Sequence, residues 1–189
     1  MNVGRKESIN AVTSSAVTQP LEERNDKRHE SQVSTQQPLR ITHRAQLKRR
    51  YFDVGIGVIS LAGADTGGAY CLLDVSLAPG IGVPRHTHTR EDETYYVLSG
   101  ELKVEVGDQS FLLQPGDTLL APRNIPHQIK NTGREENRFL LVFSPAGFEN
   151  FIDATAVTAP EGAPAPTEPP RVAVQNVMEL AASYGIHFG

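Results

Sequence analysis

The chain has 189 residues, of which 39% are hydrophobic and 21% charged, with no tryptophan and one cysteine. This length and composition predict one globular domain with tails and exclude a wholly disordered chain. No stretch approaches the roughly 18 continuous apolar residues that a membrane-spanning helix needs.

The charges are divided unevenly along the chain. Residues 1–50 hold ten Lys/Arg against five Asp/Glu, whereas residues 51–189 hold eight against seventeen. Residues 1–45 show no sustained apolar periodicity and are predicted to be a disordered N-terminal tail. Acidic residues interrupt its basic charge, and no aromatic residue accompanies its arginines. Binding to nucleic acid or to a membrane is therefore not expected.

Two features bear on the cellular compartment. The N-terminus carries no apolar run of signal-peptide length. The single cysteine, Cys71, cannot form an internal disulfide, and its neighbours indicate a strand rather than a reactive thiol. A reducing, cytoplasmic location is expected.

From Phe52 to Phe143 the chain shows short apolar alternations separated by turn residues, which predict an all-β barrel or sandwich. Nothing between the strands is long enough for a crossover helix, so antiparallel pairing is predicted. A turn is predicted at Asp65–Gly68. The predicted strands are Gly55–Leu61, Ala69–Leu77, Thr94–Leu98, Leu102–Val106, Ser110–Leu113, Thr118–Ala121, His127–Asn131 and Arg138–Phe143.

After Pro145 the pattern changes to helix and linker. Phe148, Phe151 and Ile152 have helical spacing, and a proline-rich linker follows. A last helix is predicted over Val172–Ser183, with an apolar stripe that docks on the barrel and Gly185 as its C-terminal cap. Residues 149–189 are thus expected to form a C-terminal helical extension.

Four side chains have the chemistry of transition-metal ligands. His86 and His88 occupy alternate positions of an extended segment, so they share one face. A reversal after His88 returns Glu93 on the neighbouring strand, and a rigid turn ending at Pro126 directs His127. Imidazole and carboxylate together suit one divalent ion of iron, manganese, nickel, copper or zinc, and four ligands leave open positions on a six-coordinate ion.

These residues resemble the two motifs of the cupin superfamily. The first motif is matched at every spacing by Gly80, His86, His88, Glu93 and Gly100. The second is matched loosely by Gly107, Pro115, His127 and Asn131, with Asn124 where the family usually has a turn glycine. Asparagine tolerates the left-handed conformation of such a turn.

The resemblance implies a fold and a domain boundary. A single-domain type-2 cupin, a double-stranded β-helix or jelly-roll barrel, is expected over residues 46–148, with short C-terminal helices. The resemblance also implies metal binding through the four ligands; the alternative is a cupin that keeps the ligands but binds metal weakly.

Neighbouring residues leave some alternatives open. Glu91 or Asp92 could replace Glu93 as the ligand, although only Glu93 has the usual spacing. Tyr95 is a candidate substrate-pocket residue, but core packing is the more common role of an aromatic side chain in a barrel. No role is assigned to the three remaining histidines, His29, His43 and His187.

The resemblance to the quercetin-dioxygenase-like branch implies a metal-dependent dioxygenase that acts on a small aromatic or enolisable compound, with Glu93 as the catalytic base. The alternative from another class is a non-catalytic cupin that binds or senses a small molecule. A metal-free isomerase is disfavoured because all four ligands are present. Since exposed edge strands favour pairing, a homodimer is expected.

Overall fold

A computed structural model describes residues 39–52, 54–168 and 179–189 of this chain. Two antiparallel sheets dominate these residues, which confirms the predicted all-β class and the antiparallel pairing. The larger sheet has the order β11 (Val157–Thr158), β1 (Arg50–Phe52), β2 (Gly55–Leu61), β3 (Cys71–Leu77), β10 (Asn137–Ser144), β5 (Asp92–Ser99) and β8 (Thr118–Ala121). The smaller sheet has the order β12 (Ile186–Phe188), β4 (Gly82–His88), β9 (His127–Lys130), β6 (Leu102–Val106) and β7 (Gln109–Leu113).

The core lies between the two sheets and follows the period of two that strands impose. In β10, Phe139, Leu141 and Phe143 are buried while the residues between them are partly exposed. The smaller sheet contributes Leu102 and Val104 to the same buried cluster. Strand β10 therefore presents one apolar face to the core, as its alternating pattern predicts.

Among the described residues, the helices α1 (Gly63–Thr66) and α2 (Phe148–Thr155) accompany the sheets. Helix α2 begins where the spacing of its aromatic residues predicts and buries Phe148, Phe151 and Ile152 against the core. None of the described helices is long and apolar enough to cross a membrane.

The predicted turn at Asp65–Gly68 is wrong in its first half. The Asp65 side chain accepts a hydrogen bond from the amide of Ala62 at 3.0 Å, which starts α1. Gly67, at φ +65°, ends the helix. The turn residues therefore serve as the start and end of a single helical turn, and the strand predicted from Ala69 begins only at Cys71.

The C-terminal segment adds strands as well as helix. The predicted helix Val172–Ser183 lies largely outside the described residues; residues 179–181 are helical and a 3₁₀ turn follows at Ala182–Tyr184. Gly185 adopts the left-handed cap conformation predicted for it, at φ +82°. The chain then forms β12, which the sequence pattern did not predict and which pairs with β4.

Cys71 lies in β3 and is fully buried. Burial, reinforced by the neighbouring Glu149 carboxylate, raises the pKa of its thiol to about 12. The thiol is therefore protonated and unreactive at neutral pH, as its strand setting predicts.

Candidate metal centre

The two sheets bring the four predicted ligands together. His86, His88, Glu93 and His127 are all buried, and their ligand atoms lie within 4.8 Å of one another. The strand β4 presents both of its histidines on one face. His127 starts β9, directly opposite His86 in the strand pairing, and Glu93 reaches the cluster from β5 in the other sheet.

The turn before His127 has the conformation that the second motif predicts. Asn124 has φ +66°, the one positive value of a non-glycine residue in the described chain. Its amide donates to the carbonyl oxygen of His88 at 2.7 Å. Because this bond joins the turn to the end of β4, it fixes where β9 begins relative to the other two histidines.

A motif glycine fixes the other end of β5. Gly100 has φ +71°, and a Cβ there would lie 2.8 Å from the Cβ of Asn137. A side chain is therefore excluded both by the left-handed backbone and by the close approach of β10. This turn holds β5, and Glu93 with it, in register with β10.

Short distances join the ligand atoms. The Nε2 atom of His127 lies 2.9 Å from Oε2 of Glu93, and the Nε2 atom of His88 lies 3.6 Å from the same oxygen. The Nε2 atoms of His86 and His88 are 3.2 Å apart. Ligands about 2.1 Å from one ion, at right angles, are separated by about 3 Å. The donor set and its spacing thus fit a single divalent transition metal.

The tautomers of two histidines are also arranged for metal binding. The Nδ1 atom of His86 lies 2.8 Å from the carbonyl oxygen of Pro84, and that of His127 lies 2.9 Å from the carbonyl oxygen of Ile125. Each carbonyl oxygen accepts a hydrogen bond from Nδ1–H, so Nε2 is the ring nitrogen that is directed at the cluster and available to a metal ion.

Electrostatics differ among the ligands. Burial lowers the pKa of His86 to about 4, and the nearby imidazoles add to this effect, so the ring is neutral at pH 7. Burial alone would raise the pKa of Glu93, but the hydrogen bond from His127 and the surrounding imidazoles hold it below its usual value. Burial lowers the pKa of His127, but the hydrogen bond and the charge of Glu93 raise it by more. The pKa of His127 is therefore above its usual value. In the metal-free protein, Glu93 and His127 therefore form a buried ion pair.

The alternative ligands beside Glu93 lie elsewhere. The carboxylate of Asp92 forms a two-pronged ion pair with Arg123, at 3.0 and 2.9 Å. Glu91 is buried, but it faces the far side of the His88 ring from Nε2 and does not belong to the cluster. The spacing argument thus selected the carboxylate that meets the three histidines.

A cavity of about 40 Å³ adjoins the ligands and has mainly apolar walls. It has room for roughly three water molecules. Besides His86, His88 and Glu93, its wall includes Tyr95, Phe143, Phe148, Ile186 and Phe188. Phe188 lies over the metal centre, with its ring centroid 5.9 Å from that of His86. Ile186 and Phe188 were not anticipated, because a three-residue C-terminal strand carries no recognisable sequence pattern.

Tyr95 combines the two roles considered for it. Its ring is fully buried in the core, and it also lines the cavity. Its hydroxyl group has no hydrogen bond of normal geometry among the described residues. Burial and the Glu93 carboxylate raise the pKa of this phenol well above its usual range, so it remains a proton donor. Of the remaining histidines, His43 and His187 are exposed, and His29 is outside the described residues.

Comparison with known proteins agrees with the fold and the motifs. Residues 73–143 match the family model of the cupin domain. This part of the chain is therefore a cupin domain.

Two curated relatives and one solved structure illustrate the match. The "Polyketide synthase CurC" of Streptomyces cyaneus is 32% identical over 69 residues, which cover 36% of this chain and 45% of that protein. The "Oxalate-binding protein" of Thermotoga maritima is 34% identical over 68 residues, or 36% of this chain and 56% of that protein. The matched segments thus span about half the length of these relatives.

The solved structure of a predicted oxalate decarboxylase from Thermotoga maritima superposes with a TM-score of 0.52. It is 24% identical and covers 56% of this chain and 99% of that structure. At this identity the likeness concerns the fold.

Proposed function

We propose that this chain is a metal-dependent oxidoreductase of the dioxygenase class that acts on a small aromatic or enolisable compound. One observation carries the proposal: a buried cluster of three histidines and one glutamate beside an apolar cavity. A divalent ion in this donor set would supply Lewis-acid and oxygen-activating chemistry.

The side chains around the cavity have complementary roles. The histidines His86, His88 and His127 would hold the ion and leave coordination positions open toward the cavity. Glu93 is positioned to take the proton of a substrate hydroxyl group, because its carboxylate is ionised and lies in the wall of the cavity. Tyr95 keeps its proton, and its hydroxyl group, which is near Glu93 but has no hydrogen bond of normal geometry, would donate to an oxygen atom of the bound substrate.

The relative named as a polyketide synthase supports an enolisable substrate. Polyketides carry carbonyl groups at alternate carbons, and the methylene between two carbonyls loses a proton readily. A single ionised carboxylate in an apolar, buried setting suits that proton transfer. We therefore propose β-diketones and phenols that arise from them as the first substrate class to test.

The small cavity favours a second candidate, a non-catalytic cupin that binds a small molecule. About 40 Å³ is far below the roughly 300–1,000 Å³ of pockets for drug-sized ligands. A compact dianion would need a cavity only a little larger than this one, and one relative is named as an oxalate-binding protein. On the oxidoreductase proposal, by contrast, a larger substrate requires the cavity to widen, and Ile186 and Phe188 of the edge strand β12 are among its lining residues.

One experiment separates the two candidates. The protein, reconstituted with iron, manganese, nickel, copper or zinc, is incubated with flavonols, β-diketones, catechols and oxalate, while oxygen consumption and thermal stability are measured. Oxygen consumption that the variant His86→Ala/His88→Ala lacks supports the dioxygenase. A ligand that raises the melting temperature without oxygen uptake supports the binder. An absence of both responses with every metal contradicts both candidates.

We further propose that the chain forms a homodimer. Exposed apolar side chains lie on the edge strands of the two sheets: Phe111 and Leu112 on β7 and Leu120 on β8. Pairing of such edges would remove both the unpaired backbone groups and the apolar surface from water. Light scattering that gives the mass of a single chain at micromolar concentration would contradict this proposal.

A further inference from the structure

A second buried carboxylate lies beside the metal centre. Glu91 is 4% exposed and belongs to the three-residue connection between β4 and β5. Glutamate is almost never fully buried unless it is paired. The charge of Glu91 helps to raise the pKa of Arg123, but Oε2 of Glu91 has no hydrogen-bond donor among the described residues.

The atom that faces this carboxylate is Nδ1 of His88. Oε2 of Glu91 and Nδ1 of His88 are 3.6 Å apart, and neither has a hydrogen-bond partner among the described residues. This separation is too long for a hydrogen bond and too short for a water molecule between the two atoms. The rings of Phe143 and Phe148, with centroids 5.4 and 5.3 Å from that of His88, shield the imidazole with apolar surface.

His88 is thereby distinguished from the other two histidines. In His86 and His127, Nδ1 is already matched to a backbone carbonyl oxygen at 2.8 and 2.9 Å. Those contacts select the tautomer whose Nε2 can bind a metal. His88 has no such carbonyl contact, although its Nε2 also points into the cluster.

We propose that Glu91 is a positioning residue of the metal centre, which accepts a hydrogen bond from Nδ1 of His88 when Nε2 of that ring binds the ion. Metal binding through Nε2 requires the proton on Nδ1, and a buried N–H group needs an acceptor. A shift of less than about 1 Å brings Oε2 within the usual range of a charge-assisted hydrogen bond. The bond satisfies both unpartnered atoms and strengthens His88 as a ligand.

This inference rests on the metal-binding part of the proposed function and does not depend on its oxygen chemistry. Removing a carboxylate that orients a ligating histidine typically weakens metal binding about 10- to 100-fold. We expect a loss of this size for Zn²⁺ in Glu91→Leu, which leaves Nδ1–H buried without an acceptor. Glu91→Gln keeps an amide oxygen as acceptor and should lose less.

The matched control is Asp74→Asn. Asp74 is equally buried, but its partners are Arg44 and Arg138, and it does not line the cavity. It reports how much a lost buried carboxylate disturbs the fold alone. Its Zn²⁺ affinity, measured by competition with a chelator, should stay within about twofold of the wild-type value.

A direct readout comes from NMR of the Zn²⁺-loaded protein with ¹⁵N-labelled histidine. We expect His88 to bind through Nε2 and to show a protected, downfield Nδ1–H signal that moves upfield in Glu91→Gln. If Glu91→Leu does not fold, an unchanged Nδ1–H signal in Glu91→Gln still overturns the inference.

The outcomes separate the inference from the proposed function. Equal Zn²⁺ affinity in Glu91→Leu and wild type, or an equal loss in Asp74→Asn, overturns the role of Glu91 only. A wild-type protein that binds neither Zn²⁺ nor the other four metals overturns the metal-dependent function as well.

Discussion

The buried ion pair of Glu93 and His127 predicts a pH-dependent stability of the metal-free protein. Because Nδ1 of His127 donates to Ile125, the 2.9 Å contact between Nε2 and Glu93 requires a second proton on the ring. The substitution Glu93→Gln removes the charge that holds this proton. A hydrogen bond to a charged group contributes about 2 kcal/mol to the free energy of unfolding. For a chain of this length, that loss lowers the melting temperature by about 4–8 °C.

The sign of the pH effect follows from the two pKa shifts. The raised pKa of His127 gives stability that is complete below the unfolded histidine value of about 6.5 and is lost as the pH rises through the folded value. The lowered pKa of Glu93 gives stability that is complete above the unfolded value of about 4.3 and is lost as the pH falls through the folded value. The pair therefore contributes fully between about pH 4.5 and 6.5.

The assay is thermal unfolding of chelator-treated protein at pH 6 and pH 9. Glu93→Gln should lose about 2 kcal/mol at pH 6 and less at pH 9, because the second proton of His127 is held less as the pH rises. In the control Asp74→Asn, the partners Arg44 and Arg138 keep their charge, so its loss should be the same at both pH values. An equal loss at both pH values in Glu93→Gln would refute the reasoning.

Three other predictions concern the ligands, the covering strand and the turn. The variant His86→Ala/His88→Ala should contain no transition metal by elemental analysis, whereas the wild type should contain about one ion per chain; equal contents would contradict the site. Phe188→Ala removes the ring over His86, so it should improve the binding of bulky β-diketones more than that of oxalate. Calorimetric titration measures both affinities, and an unchanged ratio would show that β12 does not limit access. Asn124→Val places a branched side chain at φ +66° and should cost about 1–2 kcal/mol in urea unfolding, while Asn124→Gly should be nearly neutral. Similar losses in the two variants would indicate that the turn tolerates any side chain.

Much of the fold follows from local patterns in the sequence. The bounds of β2, β6 and β8 coincide with those predicted, because turn residues delimit each strand. The alternation of buried and exposed residues sets which face of each strand meets the core. Strands β1, β11 and β12 escaped prediction, because two or three residues show no period.

The candidate site also contains residues whose role the sequence predicts and residues whose role it does not. The four ligands could be predicted because alternate strand positions and a tight turn fix their directions. The lack of a well-formed hydrogen bond at the Tyr95 hydroxyl group could not be predicted, since the hydrogen bonds of a core residue depend on its three-dimensional neighbours. The burial of Glu91 is also invisible in the sequence, where a charged residue in a short connection usually indicates exposure.

The four ligands belong to different sheets. His86, His88 and His127 lie on the smaller sheet, and Glu93 lies on the larger one. An ion held by all four would act as a further cross-link between two layers that apolar packing and hydrogen bonds, such as that from Asn131 Nδ2 to the carbonyl oxygen of Leu77, already join. Opening of one sheet away from the other would then break coordination bonds as well as expose the core. Metal loading would thus make local opening more costly and bring the two layers closer to unfolding as a single unit.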